Sequence, residues 1–344
     1  MKTVKFGIIG FGNIGKRHLQ RIQENNNSIC IAICDIKQKK LDEITDSSIK
    51  KFLNYKDLLK EKEIDVVTVA TPNGLHSQMT IDALENNKDV VCEKPMALTT
   101  EAAKFMISYA QRHNRKLFIV KQNRFNPPVK KIRELINSGK LGRIYMVSVN
   151  CFWNRNDEYY KASDWKGTKY LDGGTLFTQF SHFIDIVYNL LGDFSSVYAK
   201  GKNYNHPEVQ FEDTGVVLFE LANGALGSLD YTTCSYNQNF EGSISIFGEK
   251  GTVKIGGQFL NTLEYYVVEG IEKIVIEKGN KPNDYGTYKG SMSNHDHVIS
   301  NVVNTINGLD TVATSGHEGM KITQIIECMY ESMKTGKEVK IHSS

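Results

Sequence analysis

Residues 3–15, Thr-Val-Lys-Phe-Gly-Ile-Ile-Gly-Phe-Gly-Asn-Ile-Gly, set a short β-prone run against a glycine turn, and a helical pattern follows through Gln23. Strand, turn and helix in that order are what a dinucleotide fingerprint G-x-G-x-x-G requires. Gly10 permits the tight turn, Gly12 lets a pyrophosphate approach the backbone, and Gly15 lets helix and strand pack closely. Phe11, Asn13 and Ile14 complete the candidate cofactor loop. A lone motif of this kind is weak evidence. The next strand-like run, 28–34, strengthens it by ending in Asp35, twenty residues beyond Gly15. An acid at that point accepts hydrogen bonds from an adenosine ribose and repels a 2′-phosphate, so NAD is expected over NADP. Lys37, Lys39 and Lys40 soften the repulsion.

The alternation of strand and helix continues. A strand over 65–70 leads into Thr71-Pro72-Asn73-Gly74, which places Thr71, Pro72 and Asn73 at a strand's carboxyl end, facing the cofactor. His76 opens the helix over about 75–86, and for it a capping or surface role and a catalytic one are both open. The apolar run 89–92 ends in Glu93-Lys94-Pro95, which puts an ionisable amine at the carboxyl edge of the sheet, where open α/β sheets bind ligands. A helix over 99–113 follows, begun by Thr99 or Thr100 as N-cap. The strand 116–121 then delivers Gln122, Asn123 and Arg124 to the same edge, before Pro127-Pro128 starts a further helix. This pattern predicts an N-terminal Rossmann domain over 1–125, a doubly wound parallel sheet.

From Arg143 the rhythm changes to strands with few helices between them: 144–150, 196–204, 214–221, 225–233, 242–248, 251–255 and 263–268. The expectation is an α+β domain over 126–344 built on a mostly antiparallel open sheet, with hairpins at Asn223-Gly224 and Glu249-Lys250-Gly251. One sheet face needs a cover, either the 175–191 helix or a second subunit, so a homo-oligomer (dimer or tetramer) is expected. Two helices, about 295–307 and 317–335, close the chain, and for them packing on the second domain and packing back on the first are both open.

Two stretches of this half carry polar residues that packing does not require. Residues 153–169 combine both tryptophans with tyrosines and basic residues, a composition suited to stacking a base and holding phosphates; Tyr160, Trp165 and Lys166 are the candidates there. Residues 172–191 read as an apolar helix opened by glycines, with Thr175, Thr178 and His182 at helical spacing along one side.

Composition excludes several classes of function. With 42 basic and 39 acidic side chains the net charge is +3 and the basic residues are dispersed, so neither nucleic acid nor a membrane surface has an electrostatic footprint to meet. The cysteines, Cys30, Cys34, Cys92, Cys151, Cys234 and Cys328, form no C-x-x-C pair, and four lie in apolar strand-like surroundings. That pattern fits free thiols in a reducing compartment, so a cytoplasmic location is expected. No signal peptide precedes the first strand, and no apolar run approaches the roughly 18 residues of a membrane span. His295, Asp296, His297, His317 and Glu318 lack a plausible ligand set, and no metal is expected.

Taken together, G-F-G-N-I-G at 10–15, Asp35, T-P-N-G-L-H at 71–76, E-K-P-M at 93–96 and D-G-G-T-L-F-T-Q-F-S-H at 172–182 resemble the glucose-fructose oxidoreductase/inositol dehydrogenase/MocA family across nearly the whole chain. Within that family, K-Q-N-R-F-N at 121–126, G-R-I-Y-M-V at 142–147, F-W-N-R-N-D-E-Y-Y at 152–160, W-K-G-T at 165–168 and F-G-E-K-G-T-V at 247–253 resemble its nucleotide-sugar 3-dehydrogenase branch. The substrate of that branch is UDP-N-acetyl-2-amino-2-deoxyglucuronate. The resemblance implies oxidation of a UDP-sugar C3 hydroxyl by NAD in bacterial surface-polysaccharide (O-antigen) synthesis. It implies Lys94 and His182 as catalytic residues and a cis Lys94-Pro95 bond. The family's cofactor contacts carry over to Gly10–Gly15, Asp35, Thr71, Pro72, Asn73, His76, Glu93, Lys94 and Gln122. Substrate contacts are expected from Asn123, Arg124, Tyr160, Trp165, Lys166, Thr175, Thr178 and His182. Inositol dehydrogenases carry an aspartate four residues before the histidine, where this chain has Thr178. A site between the two domains is expected to bring Lys94 and His182 to one hydroxyl, with His182 favoured as base and Lys94 as the cation. UDP-N-acetylglucosamine, another sugar or polyol, and a non-catalytic NAD-binding regulator are the alternatives.

Overall fold

The computed structural model describes residues 1–286 and 288–342 of the 344-residue chain. Six strands, β1 (Val4–Ile9), β2 (Ser28–Cys34), β3 (Lys50–Phe52), β4 (Val66–Val69), β5 (Asp89–Cys92) and β6 (Leu117–Ile119), are short, and all but the edge strand β3 are rich in apolar residues. They pair in parallel in the order β3-β2-β1-β4-β5-β6. Order reverses on either side of β1, the switch point that opens a crevice at the strands' carboxyl ends. Strand β4 is buried at all four positions, as a strand covered on both faces must be. Each of its three valines contributes roughly 1.5–3 kcal/mol of burial.

The crossovers are helical. The main ones are α1 (Asn13–Glu24), α4 (His76–Glu85) and α5 (Thr100–Arg112), with short α2 (Gln38–Asp42) and α3 (Tyr55–Leu59) between. Thr99 caps α5 by accepting from the Ala102 N–H at 3.1 Å. The apolar faces of α4 and α5 meet the sheet through Ala83, Leu84, Ala103, Met106 and Ile107. Residues 1–121 form one compact unit, joined by 295–323; residues 122–294 and 324–344 form a second. Helix α9 (His295–Ile306) therefore packs in the first unit, while α10 (Gly316–Thr335) divides between the two at Thr323.

The second unit begins with α6 (Pro127–Asn137), whose prolines occupy the first positions where no N–H bond is lost. Its eight-stranded sheet comprises β7 (Ile144–Phe152), β8 (Phe194–Lys202), β9 (Thr214–Leu221), β10 (Leu226–Thr232), β11 (Glu241–Gly248), β12 (Gly251–Gly256), β13 (Thr262–Val268) and β16 (Val339–Lys340). The order is β13-β12-β11-β7-β10-β9-β8-β16, antiparallel throughout except for the β7/β10 pair. A small hairpin, β14 (Pro282–Asp284) and β15 (Lys289–Met292), stands apart from it. Gly224 makes the β9/β10 turn with φ +85°.

After the short helix α7 (Asp157–Lys161), helix α8 (Ser181–Leu191) covers the inner face of this sheet: Phe183, Ile184 and Val187 meet Val149, Phe219 and Leu229. The outer face is left apolar, with Met146, Val216, Leu218, Leu226, Tyr265 and Val267 between 46% and 62% exposed. Leu226, Met146 and Phe247 lie in register across β10, β7 and β11. Among the described residues no helix is long and apolar enough to cross a membrane, and the six cysteines carry free thiols.

Candidate active site

The first unit builds a cradle at the carboxyl end of β1. Gly10 sits at φ +93°, and a Cβ there would lie 2.5 Å from the Ala70 carbonyl oxygen. A Cβ on Gly15 would lie 2.0 Å from the Gly10 carbonyl oxygen, so only glycine lets α1 approach the turn. Gly12 faces open space and caps α1 without a side chain, and the first turn carries no acid. The first N–H groups of α1 are thus presented at the positive end of a helix, the arrangement that binds a phosphate. Asp35 is fixed beside it: Oδ2 accepts from the Phe11 N–H at 2.8 Å and Oδ1 from the Lys37 N–H at 2.9 Å. Each carboxylate oxygen keeps a lone pair for a ribose hydroxyl. Phe11 is buried, Ile14 half-buried and Asn13 exposed.

At the ends of β4 and β5 the chain is tied together by His76. Its ring is buried, with Nδ1 2.7 Å from the Pro95 carbonyl oxygen and Nε2 2.9 Å from that of Thr71. Burial lowers the His76 pKa against the pull of these two bonds. His76 therefore positions the Thr71 and Pro95 turns, and its ring nitrogens are occupied by backbone. Thr71 and Pro72 are half-buried, and Asn73 is buried in a 3₁₀ turn, Asn73–Leu75. The Lys94-Pro95 bond is cis.

Lys94 is half-buried, and its N–H donates to Glu93 Oε2 at 3.1 Å. Glu93 Oε1 lies 2.8 Å from His18 Nε2 and 3.2 Å from His295 Nε2. Burial would push the Glu93 carboxyl up, but bonds from His18 and His295 outweigh it and hold the group well below its ordinary range. His295 is therefore more than a helix start. It is fully buried, 202 residues from its carboxylate partner, a separation that hides the pairing in the sequence. His18, on α1, links the glycine turn's helix to the strand end that carries Lys94.

In the second unit, Gln122–Phe125 form a 3₁₀ turn with Gln122, Asn123 and Arg124 buried. Gln122 donates to Ser291 Oγ at 2.9 Å. Arg124 makes a bidentate pair with Asp185 on α8, at 2.9 and 2.8 Å. Its charge is matched inside the protein by that carboxylate. Residues 176–180 depart from the continuous α-helix expected over 175–191: Leu176–Phe180 is a π-helical turn, and α8 starts at Ser181. The wider turn breaks the α-helical line of Thr175, Thr178 and His182. Thr175 Oγ1 donates to the Glu212 carbonyl oxygen at 2.5 Å, and the Thr178 hydroxyl donates to the Asp172 carboxylate. His182, 4% exposed, is the second residue of α8.

The 153–169 stretch divides between core and site. Trp153 is 2% exposed, rings of Phe180, Phe183 and Phe259 surround it, and its indole N–H donates to the Gln258 carbonyl at 2.9 Å. A buried, hydrogen-bonded indole of this kind is not a base-stacking platform. Tyr160 packs on His206 with ring centroids 5.0 Å apart; Trp165 and Lys166 are half-buried. Sequence reasoning passed over Arg155, which is buried against Trp153, Tyr159 and Tyr288. Its aromatic neighbours at 153 and 159 were a signal; Tyr288 was not.

Residues 4–121 match an oxidoreductase family NAD-binding Rossmann fold, and residues 133–341 match the same family's C-terminal alpha/beta domain. The structure is similar to the WlbA dehydrogenase from Bordetella pertussis, solved in complex with NADH and UDP-GlcNAcA, with 33% identity, TM-score 0.89 and both chains covered at 100%. The Chromobacterium violaceum WlbA dehydrogenase, solved with the same two ligands, is 32% identical with TM-score 0.89, covering 100% of this chain and 97% of the other. Inositol 2-dehydrogenase of Salmonella typhimurium is 25% identical over 260 residues, 74% of each chain. The open glycine cradle, the tethered Asp35 and these matches agree on one conclusion: the chain belongs to the Gfo/Idh/MocA family and is an NAD-dependent oxidoreductase.

Proposed function

We propose that the enzyme oxidises the C3 hydroxyl of a UDP-sugar to a ketone, and that this sugar is UDP-N-acetyl-2-amino-2-deoxyglucuronate. The observation that carries the reading is full-length likeness, at 32–33% identity, to two dehydrogenases solved with NADH and UDP-GlcNAcA. Two cations of the second unit that no carboxylate pairs among the described residues, Arg155 and Lys166, support an acidic sugar. A polyol reading is less favoured, because the position where inositol dehydrogenases carry an aspartate holds Thr178, whose hydroxyl is spent on Asp172. The product belongs to bacterial surface-polysaccharide synthesis, and the location is cytoplasmic.

Bound NAD supplies the hydride acceptor. The chain's own residues bind and orient it through Gly10, Gly12, the first turn of α1 and Asp35. His182 accepts the hydroxyl proton, and the Lys94 ammonium stabilises the developing alkoxide. Incubation with NAD and a panel of UDP-sugars, read by mass spectrometry so that bound NADH does not hide turnover, tests the reading. A product two hydrogens lighter is expected from the uronic acid sugar, and less of it from its C6 alcohol counterpart. No lighter product from any UDP-sugar would remove the assignment.

A further inference from the structure

Two arginines of the second unit are buried, and they are held in opposite ways. Arg124 faces a carboxylate, Asp185, through both arms of its fork. Arg155, 2% exposed, faces only neutral acceptors: its Nε–H donates to Gln179 Oε1 at 2.8 Å, and its Nη1 to the Asn154 carbonyl at 2.6 Å and Asn239 Oδ1 at 3.2 Å. Three rings enclose it, with Cζ 5.0 Å from Trp153, 5.3 Å from Tyr159 and 5.0 Å from Tyr288. Lys166 shares the enclosure. Its Nζ stands 3.8 Å from the Tyr159 centroid and 5.4 Å from that of Tyr288, and donates to the Tyr159 carbonyl at 3.2 Å.

Among the described residues no Asp or Glu forms an ion pair with either cation. Cation–π contact offsets only part of the cost of taking a charge out of water, and two like charges side by side add to that cost. A protein that needed these residues for packing alone would meet them with an acid, as it meets Arg124. We propose that Arg155 and Lys166, walled by Trp153, Tyr159 and Tyr288, form an anion subsite for the carboxylate or phosphate oxygens of the substrate. The subsite rests on the UDP-sugar reading for the identity of its occupant. The planar guanidinium suits the oxygens of either group, the carboxylate or the diphosphate.

The subsite is linked to protons. Burial, then the Arg155 charge, pushes the Lys166 ammonium down to about 8, with Asp172 pulling the other way. The other titratable groups that face the pair are Tyr159, Tyr160 and Tyr288, with His206 and Asp213 behind, where His206 Nε2 lies 2.7 Å from the Arg155 carbonyl. An anion binds more tightly when Lys166 is protonated, so its affinity is highest well below pH 8 and weakens as pH rises through it.

The test uses the full-length protein. Calorimetry and the emission of Trp153 and Trp165, the chain's two tryptophans, follow binding of UDP-N-acetylglucuronate, UDP-N-acetylglucosamine, D-glucuronate and inorganic pyrophosphate. Affinity for the acidic sugar is expected to fall by roughly tenfold or more from pH 7 to pH 9.5, as it should in Arg155→Lys and Lys166→Gln at pH 7. Loss confined to the uronate assigns the carboxylate, and equal loss for both sugars assigns the diphosphate; either supports the subsite. Arg155→Lys keeps the charge and bulk in the cage, and Lys166→Gln lies at its rim, so near-ultraviolet circular dichroism distinguishes a lost contact from a lost fold. Unchanged affinity in folded forms of both variants overturns the proposal. If no UDP-sugar binds wild type, the substrate reading fails by itself. In that case binding of glucuronate or pyrophosphate that needs Arg155 and Lys166 upholds the subsite, and no binding of either overturns it.

Discussion

Lys94 and His182 carry the proposed chemistry, and their contribution belongs to the transition state. Proton removal and alkoxide stabilisation matter as the hydride leaves, so Lys94→Met and His182→Asn should lower kcat on the order of 10² to 10⁴-fold with little change in KM. With His182 as base, the acidic limb of the pH profile disappears in His182→Asn. Near-normal turnover in both variants, with unchanged circular dichroism, would contradict the assignment. At this scale the sequence was unevenly legible. Asp35 could be read because a fixed spacing from Gly15 dictates its place. The pairing of Arg124 could not be read, because its partner, Asp185, lies 61 residues away inside an apolar helix. Glu93 was noticed for its neighbour Lys94, while its own partners, His18 and His295, come from two distant helices.

Among the elements, the π-helical turn Leu176–Phe180 is the one whose support is most open to test. Glu212 Oε1 accepts from Tyr330 Oη at 2.9 Å and from Tyr231 Oη at 3.1 Å, and Tyr330 Oη accepts the Leu176 N–H at 3.1 Å. Burial pushes the Glu212 carboxyl up from 4.5 to about 7, against the bonds from the two tyrosines. A folded pKa above the unfolded one penalises the ionised form. The effect is absent below pH 4.5, grows from 4.5 to 7 and is complete above 7, where a shift of that size corresponds to roughly 3 kcal/mol of lost stability. Glu212→Gln keeps an acceptor for both tyrosines and cannot ionise. Its thermal midpoint should therefore rise relative to wild type between pH 5 and pH 8; a difference that does not change with pH would count against this account. The alternation of strands and helices was legible from period and turn residues. The π turn was not, because Leu-Phe-Thr-Gln-Phe has no pattern that separates it from an α-helix, and the tyrosine that bonds its first N–H lies 154 residues on.

At the scale of the whole molecule, the outer face of the eight-stranded sheet leaves apolar side chains exposed. Leu226, Met146 and Phe247 align across three strands, and Val267, 61% exposed, lies two strands further on. We propose that a second copy of the chain covers this face. Light scattering should give at least twice the 38.8 kDa chain mass, and a Leu226→Glu/Val267→Glu double variant should fall towards one chain. A monomeric wild type would contradict it. The division into a parallel and a mostly antiparallel half was legible because parallel strands need helical crossovers and hairpins need glycine turns. The return of 295–323 to the first unit was left open by the sequence, since amphipathic helices state that they pack but not against what. The central claim, hydride removal from C3 of a UDP-sugar, is tested most directly with UDP-N-acetylglucuronate deuterated at C3 and unlabelled NAD. The account predicts that deuterium appears in NADH and that the sugar product has lost it; NADH formed without deuterium, or a product that keeps its C3 label, would contradict it.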